Sequence, residues 1–426
     1  MKIAIISDFH FGFGAGSERA NDAYDAFKEA IEKALECDII LFAGDLFDER
    51  NPDMENFSKA AELMIKPMLI QNDIRLVQGM GKDVSNLSET AVMGTPIVAI
   101  HGTHERRTKG LVNPVEALEK AGFLIYLHCN GVIFEKSGER IAIQGMSGVP
   151  DQYAESVLSN WNPRPETGCF NVFILHQSIT EFLYAPHTLD LNKLPKGFDL
   201  YINGHIHEAK ESEYAGRPFL LTGSLIPTQI KEESEKPKGF WIVETSDNDH
   251  MKSEILISSK TTRKNNMTIH WIELENQRKV YNLSFDGTEA KEIEEKMKKI
   301  THENPLKKPI VRIELKGTSE KLEDEIRMKF GSSLLISFKK EKAPHELPSR
   351  TIHEHKLSVE EMGRKILSEN LSKAGLDPKT FESVFELLSE GKADDAINTL
   401  LKTSEKEAKP ANSKQTKLFH PEKAKD

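Results

Sequence analysis

The chain has 426 residues, of which 38 % are hydrophobic and 29 % charged, and its formal net charge is −10. This length predicts two or more structural units. No apolar run approaches the roughly 18 to 20 residues that a membrane helix needs, and the opening residues are too short and too acidic for a signal peptide. Three widely spaced cysteines predict neither a disulfide framework nor a Cys-based zinc site. We therefore expect a protein of the reducing cytoplasm that does not coat nucleic acid through bulk positive charge.

Short apolar segments separated by loops predict a first unit over residues 1–250. Between the first two segments, Ala20–Glu36 has apolar residues at spacings of three and four, as in an amphipathic helix. Strands that alternate with helices indicate the α/β class. The predicted strands are Lys2–Ser7, Asp38–Ala43, Pro96–Ile100, Gly131–Glu135, Arg140–Gly145, Asn171–Leu175, Asp199–Ile202, Pro218–Leu221 and Gly239–Glu244.

A second unit is predicted over residues 265–341, and its size suits a small α+β domain. Its predicted elements are, in order, two strands, a helix, a strand, a helix and a strand. They span Thr268–Leu274, Lys279–Ser284, Glu289–Lys299, Ile310–Leu315, Ser319–Phe330 and Leu334–Lys339.

The remaining residues predict a linker (342–357), a helical segment (358–402) and a disordered, Lys-rich tail (403–426). Ser358 and Glu361 form a capping box at the start of the first helix. The apolar stripes of these helices have two interpretations. The helices pack on one another, or they dock into a groove of a partner, which we favour.

Aspartate and histidine concentrate after predicted strands in five places. Because each cluster follows an apolar strand, the side chains can converge at one edge of a sheet, where open α/β folds place their sites. In Asp8-x-His10 and His205-x-His207, the paired side chains would share one side of an extended backbone. The clusters are Asp8-Phe9-His10, Gly44-Asp45, Gly102-Thr103-His104-Glu105, His176 and Gly204-His205-Ile206-His207.

Each cluster alone has an ordinary structural explanation. An aspartate after a strand is commonly a turn or cap residue, and a single histidine is commonly packed or exposed. Five such clusters in this order favour a metal site instead. Carboxylate oxygens with neutral imidazoles suit Mn²⁺, Fe²⁺ or Zn²⁺ better than Mg²⁺ or Ca²⁺.

The order Asp-x-His, Gly-Asp, Gly-x-His-Glu, strand-terminal His and Gly-His-x-His resembles the calcineurin-like metallophosphoesterases over about residues 1–245. The segments IISDFHFG, GDLFD and IHGTHERRTKGLVNPVEALEKAGF, with the layout as far as about residue 402, resemble one subgroup. This subgroup contains the archaeal DNA double-strand-break repair nucleases of the Mre-eleven/SbcD type. The resemblance implies a β-sandwich flanked by helices, with a capping domain at residues 265–341 that helps to shape the DNA path.

The resemblance also implies a site with two Mn²⁺ ions per chain. Its first ion would be held by Asp8, His10, Asp45 and His207, with Asp45 bridging. The second would be held by Asp45, the Thr103 position, His176 and His205. His104 would be catalytic, because it would contact the scissile phosphate and help to protonate the leaving oxygen. Two ions roughly 3.5–4 Å apart suit phosphodiester hydrolysis, and imidazole is a suitable acid near neutrality.

The sequence departs from the family pattern at two positions. Thr103 stands where the superfamily has an asparagine ligand, and a hydroxyl is a weaker ligand than an amide oxygen. Asp48 stands where the subgroup usually has a histidine associated with exonuclease activity. We expect this carboxylate to repel phosphate unless Arg50 or another cation pairs with it.

A basic cluster follows His104 directly. Arg106, Arg107 and Lys109 form either a solvated loop or a phosphate contact beside the metals.

The sequence therefore predicts the nuclease subunit of a DNA-end-processing complex, associated with the nucleoid. It would be a 3′→5′ exonuclease on double-stranded ends and an endonuclease on single strands. The resemblance implies a homodimer whose C-terminal helices bind an SMC-like Rad-fifty-type ABC ATPase.

The sequence leaves two alternative functions open. One alternative is a metallophosphoesterase acting on a small nucleotide or phosphoprotein. The other is a non-enzymatic DNA-tethering scaffold, in which a site that decayed at Thr103 and Asp48 would hold fewer than two metals per chain.

Overall fold

The computed structural model describes residues 1–339 except 109, 184, 186, 246–257, 265–266, 286–289, 304–306 and 316–319. The predicted linker, partner-binding helices and tail (342–426) lie outside the described residues. Among the described residues, none of the helices has both the length and the hydropathy of a membrane-spanning segment.

Four α-helices and fourteen strands lie in the described part of the first 273 residues, and the α-helices fall in the first 161. In chain order they are β1 (Lys2–Ile6), α1 (Asp22–Ala34), β2 (Ile39–Ala43), α2 (Met54–Met68), β3 (Arg75–Met80), β4 (Ile97–Ile100), α3 (Pro114–Lys120), β5 (Ile125–Tyr126), β6 (Asn130–Lys136), β7 (Glu139–Met146), α4 (Asp151–Trp161), β8 (Phe170–Leu175), β9 (Leu200–Asn203), β10 (Lys210–Tyr214), β11 (Arg217–Leu221), β12 (Gly239–Glu244), β13 (Ser258–Lys264) and β14 (Met267–Glu273).

These strands form two seven-stranded sheets that pack face to face. The first has the order β13-β14-β12-β1-β2-β4-β5, and the second has the order β10-β11-β9-β8-β7-β6-β3. One apolar cluster lies between the sheets and contains residues of both. A second cluster joins the outer face of the first sheet to α1, α2 and α3, and a third joins the second sheet to α4. The predicted β-sandwich flanked by helices is confirmed.

The composition of β1 explains how a strand can serve two cores. Ile3 and Ile5 point into the cluster between the sheets, whereas Ala4 and Ile6 point toward the helices. Because side chains alternate across a strand, a strand buried on both faces needs an unbroken apolar run. The same reasoning found all nine predicted strands of the first unit, each within one residue at either end.

A three-stranded parallel sheet follows the sandwich. Its order is β15-β16-β17, with one helix on each connection, and its core is separate from those of the sandwich. The elements are β15 (Val280–Phe285), α5 (Ala290–His302), β16 (Ile310–Leu315), α6 (Glu320–Phe330) and β17 (Leu335–Lys339). The α+β assignment was therefore wrong, because parallel strands joined by helices define an α/β unit.

The boundary between the two units also differs from the prediction. The strand predicted at Thr268–Leu274 exists as β14, but it pairs with β12 in the first sheet. The three-stranded unit therefore begins after β14. Sequence periodicity could not place this strand, because it identifies a strand without identifying its neighbour.

Candidate metal centre

The five predicted clusters meet at one end of the sandwich. Strands β1, β2 and β4 run parallel in the first sheet, and β8 and β9 run parallel in the second. The carboxyl ends of parallel strands lie at one edge of a sheet, so the loops that follow them converge. The structure brings together every side chain named for the site: Asp8, His10, Asp45, His104, His176, His205 and His207.

These side chains form overlapping groups of three. In each group, one potential ligand atom per residue lies within 4.8 Å of the others. Asp8, His10 and His207 form one group, and Asp45, His176 and His205 form another. A third group joins Asp45 to His10 and His104. Asp45 thus lies between the two sets of side chains, the position expected of a bridging ligand.

The group around Asp8 contains a buried oxygen without a donor. His207 Nε2 lies 3.3 Å from Asp8 Oδ1 and 3.2 Å from His10 Nε2. Yet Asp8 Oδ1 makes no hydrogen bond with any residue that the structure describes. Leaving a buried acceptor unsatisfied costs about 1–3 kcal/mol, more when it is charged. A cation at this position would remove that cost.

The second group contains a matching buried nitrogen. His176 Nε2 lies 3.2 Å from Asp45 Oδ2 and likewise has no hydrogen-bond partner among the described residues. His176 Nδ1 donates to the carbonyl oxygen of Ala43 at 2.7 Å, so Nε2 is the ring nitrogen that faces Asp45. The two unsatisfied atoms and the surrounding imidazoles and carboxylates fit a divalent transition metal.

Thr103 lies beside the second group. Its Oγ1 is 3.5 Å from His205 Nδ1, while His205 Nε2 is 3.0 Å from Ser178 Oγ. Ser178 in turn donates to Asp151 Oδ2 at 3.0 Å. His205 is therefore oriented by Ser178, and its Nδ1 faces the side of the ring where Thr103 lies.

The backbone around the site departs from the extended form expected from the motifs. Asp8, His10, Asp45 and His205 have φ values of 52°, 55°, 49° and 70°. Positive φ is uncommon for residues other than glycine and is found at functional sites that the surrounding structure stabilises. The expectation that the paired residues alternate along extended backbone was wrong, although their side chains do converge.

Close backbone approach explains the glycines of two motifs. A Cβ added to Gly102 would lie 2.1 Å from Asp45 Oδ1, and one added to Gly204 would lie 2.1 Å from the carbonyl oxygen of Ala43. Neither position has room for a side chain. The glycines in Gly102-Thr103-His104 and Gly204-His205-Ile206-His207 therefore let the strand-end loops pack against each other.

Burial and neighbouring charges shift the pKa values of these groups in opposite directions. Burial alone would raise the pKa of Asp45, but His176 and His10 hold it well below its ordinary value. Burial opposes protonation of His176, but Asp45 raises the pKa of His176 to about 9. Burial and the neighbouring His176 lower the pKa of His205 to about 4. Both aspartates named as ligands are therefore ionised at neutral pH, since the pKa of Asp8 is also lowered overall.

Asp48 contacts the two histidines nearest to it. Its Oδ1 is 2.9 Å from His10 Nδ1, and its backbone carbonyl oxygen accepts a hydrogen bond from His104 Nδ1 at 2.8 Å. His10 is therefore the partner of this carboxylate, and the pairing with Arg50 that we considered is not seen among the described contacts. Asp48 therefore acts on the site through its contact with His10.

The predicted basic cluster is only partly described, because Lys109 lies outside the described residues. Arg107 donates to Asn51 Oδ1 and lies 3.5 Å from the carbonyl oxygen of Arg50. This guanidinium therefore ties its loop to the one that follows β2, which supports a structural interpretation for Arg107.

Several supporting side chains were not predicted. Glu105 is fully buried and accepts hydrogen bonds from the backbone N–H groups of Phe47 and Gly102 at 2.9 and 2.8 Å. Burial and the nearby Asp45 raise the pKa of Glu105 to about 8. Thr228 Oγ1 lies 2.9 Å from His207 Nδ1. Glu105 was visible within its motif, whereas Thr228 carries no sequence signal for this role.

A comparison with protein families agrees with the fold and the site. Residues 1–209, slightly less than half of the chain, match the calcineurin-like phosphoesterase family. The family implies a divalent-metal site, in agreement with the side chains gathered at the strand ends. The resemblance inferred from the motifs is confirmed.

Within the family, the chain is similar to double-strand-break repair proteins. It is 28 % identical over 267 residues to the DNA double-strand break repair protein Mre11 of Methanopyrus kandleri, covering 57 % of this chain and 54 % of that protein. It is also 28 % identical over 283 residues to the double-strand break repair protein mre-11 of Caenorhabditis elegans, covering 57 % and 39 %. The chain thus spans about half the length, or less, of these relatives.

A solved structure, the phosphopantetheinyl hydrolase of Mycobacterium tuberculosis, aligns with 53 % of this chain and 90 % of its own. The TM-score is 0.30 at 12 % identity, so this likeness carries no argument about function.

Proposed function

We propose that this chain is the metal-dependent DNA nuclease subunit of a double-strand-break repair complex. It would act as a 3′→5′ exonuclease on double-stranded ends and as an endonuclease on single strands. One observation carries the proposal: three groups of ligand-type side chains, linked through His10 and Asp45, lie in a chain whose relatives are named for break repair. The proposal includes a cytoplasmic, nucleoid-associated location, because DNA is the substrate.

The proposed cofactor is a pair of Mn²⁺ ions. The first would be held by Asp8, His10, Asp45 and His207, and the second by Asp45, Thr103, His176 and His205. The unsatisfied Asp8 Oδ1 and His176 Nε2 support this assignment. When bound, such a pair supplies an activated water and offsets the charge that develops on the phosphate.

The chain's own contribution is to orient imidazoles and to move a proton. His104 lines a cavity of about 330 Å³ at the site, together with Asp45 and His207. Its backbone N–H donates to Asp45 Oδ1 at 2.9 Å, and its Nδ1–H donates to Asp48. His104 Nε2 is therefore the nitrogen that can pass a proton to the leaving oxygen of a bound phosphodiester.

Residues 280–339 would act as the capping and DNA-binding domain. A cavity of about 600 Å³ lies between this unit and the segment around Lys231. Arg312 and Lys339 line it, although Glu235 and Glu314 do so as well. Cationic side chains at this position support contact with a phosphate backbone that passes between the two units.

The proposed partners are DNA ends, a second copy of this chain and an SMC-like Rad-fifty-type ABC ATPase. Helix α2 supports the homodimer, since Ile65 of this helix and Leu69 directly after it, four residues apart, are 44 % and 79 % exposed, and neighbouring apolar side chains on a surface are typical of interfaces. The segment proposed to bind the ATPase (358–402) lies outside the described residues, and its support comes from sequence periodicity.

The deciding experiment is Mn²⁺-dependent cleavage of end-labelled duplex and single-stranded DNA by the wild type, Asp45→Ala and His104→Ala. We expect both variants to lose cleavage and only His104→Ala to keep its metal, measured by mass spectrometry of the bound ions. Asp73→Ala and His302→Ala replace exposed residues outside the site and serve as controls.

Two outcomes would contradict the proposal. Hydrolysis of a small phosphodiester without cleavage of DNA would favour the alternative, a phosphoesterase for a small nucleotide or phosphoprotein. Fewer than two ions per chain, with no hydrolysis of either substrate, would favour a DNA-tethering scaffold. Deletion of residues 342–426 also distinguishes the proposed nuclease from the first alternative. An enzyme for small molecules should keep its activity and its partners when these residues are deleted.

A further inference from the structure

His205 has a defined contact at each of its two ring nitrogens. Its Nε2 lies 3.0 Å from the hydroxyl oxygen of Ser178, and its Nδ1 lies 3.5 Å from the hydroxyl oxygen of Thr103. A neutral imidazole carries one proton and binds a metal only through the nitrogen that lacks it. The position of this proton therefore decides whether Nδ1 of His205 can be a ligand.

The contacts of Ser178 determine the direction of its hydrogen bond to His205. A serine hydroxyl has one proton to donate, and its lone pairs can accept. Ser178 donates that proton to Asp151 Oδ2 at 3.0 Å, because a carboxylate only accepts. Ser178 must then accept from His205, so the imidazole proton is on Nε2 and Nδ1 keeps its lone pair. Thr103 agrees with this arrangement, since its hydroxyl can donate to Nδ1.

Both partners of His205 in this chain of hydrogen bonds are held in place. Ser178 is only 4 % exposed and follows His176 by two residues, in the loop after β8. Asp151 is the first residue of α4, where the helix terminus favours a negative charge. The rings of His176 and His205 lie 5.2 Å apart. The loop after β8 therefore carries one imidazole of the second group and the hydroxyl that orients the other.

We propose that Ser178 and Asp151 are positioning residues for the second metal ion, because they hold His205 in the tautomer whose Nδ1 can bind it. The inference rests on the proposed function, from which it takes the pair of ions. It deepens that function by naming two residues outside the ligand set on which the second ion depends. Without them, the proton of His205 can move to Nδ1 and exclude the ion.

The identity of residue 103 increases the importance of this arrangement. Thr103 stands at a proposed ligand position of the second ion and offers a hydroxyl, which is a weaker ligand than an amide oxygen. The second ion must therefore depend more strongly on its two imidazoles, His176 and His205. An imidazole that is held in the binding tautomer loses less free energy when the ion binds, since no proton has to move first.

Nuclear magnetic resonance of the ring nitrogens tests the tautomer without any metal. In the full chain with isotope-labelled histidine and chelator present, the signals of His205 are identified by their loss in His205→Gln. They should show a proton on Nε2 in the wild type and a mixture of tautomers in Ser178→Ala. Ser178→Thr keeps the hydroxyl and should restore the wild-type spectrum. The matched control is Ser156→Ala, since Ser156 is exposed and donates to the carbonyl oxygen of Tyr153.

Two results of this measurement would overturn the proposal. The first is a proton on Nδ1 of His205 in the wild type, which would make the direction of the hydrogen bond wrong. The second is a spectrum of His205 that is the same in Ser178→Ala as in the wild type. A role of Ser178 in stability alone would leave the tautomer unchanged, so this readout separates positioning from folding.

Calorimetry of Mn²⁺ binding tests which ion depends on the two residues. In a His10→Ala background, which lacks a ligand of the first ion, Ser178→Ala and Asp151→Ala should each weaken binding of the remaining ion by about 10- to 100-fold. In a His176→Ala background, which lacks a ligand of the second ion, the same substitutions should leave the affinity unchanged. Gln152→Ala, at an exposed neighbour, is the control for Asp151→Ala. Equal losses in both backgrounds would contradict the assignment to the second ion.

The two proposals can fail separately. If His205 shows the expected tautomer and Ser178→Ala alters it, but the protein does not cleave DNA, the positioning role stands and the proposed nuclease falls. If DNA is cleaved but Ser178→Ala changes neither the tautomer nor the affinity for Mn²⁺, the nuclease stands and the positioning role falls.

Discussion

The carboxylate of Asp48 lies 2.9 Å from Nδ1 of His10, and this contact determines which nitrogen of the imidazole faces the metal centre. Because Nδ1 carries the proton that is donated to Asp48, Nε2 keeps its lone pair, and Nε2 is the atom 3.2 Å from His207 Nε2. Carboxylates commonly orient metal-binding histidines in this way. The residue that departs from the family pattern thus has a defined contact in this chain.

Replacement of Asp48 should weaken metal binding without removing a ligand. Loss of such an outer partner typically costs about 10- to 100-fold in metal affinity. We expect a loss of this size for Asp48→Ala and a smaller one for Asp48→Asn, which keeps an acceptor without the charge. Titration with Mn²⁺ measures both, with Glu49→Ala, at an exposed neighbour, as the control. Unchanged affinity in Asp48→Ala would contradict the assigned contact.

The Gly102→Ala substitution should disable the site through steric displacement of Asp45. The new Cβ would lie 2.1 Å from Asp45 Oδ1 and 2.4 Å from its backbone nitrogen, so this loop must move. We expect loss of Mn²⁺ binding, measured by calorimetry. Gly168→Ala is the matched control, since its Cβ meets nothing within 4 Å and only its φ of +75° is unfavourable. The Gly168→Ala control should lose about 1 kcal/mol of stability and retain the metal. Equal loss of metal in both variants would contradict the displacement of Asp45.

Arg278→Ala should destabilise the protein by about 3 kcal/mol, because it leaves Asp22 buried without its main partner. Arg278 and Asp22 side chains are only 6 % and 5 % exposed, and their shortest contacts are 2.9 Å. Urea unfolding measures the change. Lys193→Ala breaks an exposed pair with Glu155 and should change the stability much less. A loss in Arg278→Ala no larger than in this control would show that the buried pair contributes little.

Glu29 should make stability depend on acid pH. Burial acts to raise the pKa of Glu29, but Lys33 and the backbone amides of Glu275 and Asn276 lower it below its ordinary value of 4.5. A lowered folded-state pKa stabilises the protein above pH 4.5, and that contribution disappears as the pH falls through the folded-state value. The free energy of unfolding of Glu29→Gln, measured by urea from pH 6 to 3, should therefore approach that of the wild type at low pH. A difference that stays constant with pH would contradict this linkage.

The sequence predicted the position of a strand wherever that strand is buried on both faces of its sheet. The strands that periodicity missed in the sandwich are β3, β5, β10 and β13, and these are the outermost strands of the two sheets. An edge strand has one neighbour and faces solvent, so it needs no apolar run. Lys210–Tyr214, for example, reads KESEY and contains a single apolar side chain. Helices α2, α3 and α4 were also missed.

The candidate site was predictable in its members but not in its geometry. Strand-end position and residue type identified Asp8, Asp45 and the histidines, because the carboxyl ends of parallel strands meet. Their left-handed backbone conformations could not be inferred, since these depend on how loops from different strands pack. The partners Ser178 and Thr228 were inaccessible for a similar reason: each lies at least 21 residues from the histidine it contacts.

The connection between β14 and β15 is held at both ends, by Glu29 at Glu275 and by Asp22 at Arg278. Beyond it, Lys308 pairs with Glu18, and Asn282 donates to the carbonyl oxygen of Lys231. The three-stranded unit is thus fastened to the sandwich at several points rather than hinged on a single strand. A molecule that contacts this unit and the metal centre together would therefore have to span a distance that these contacts fix.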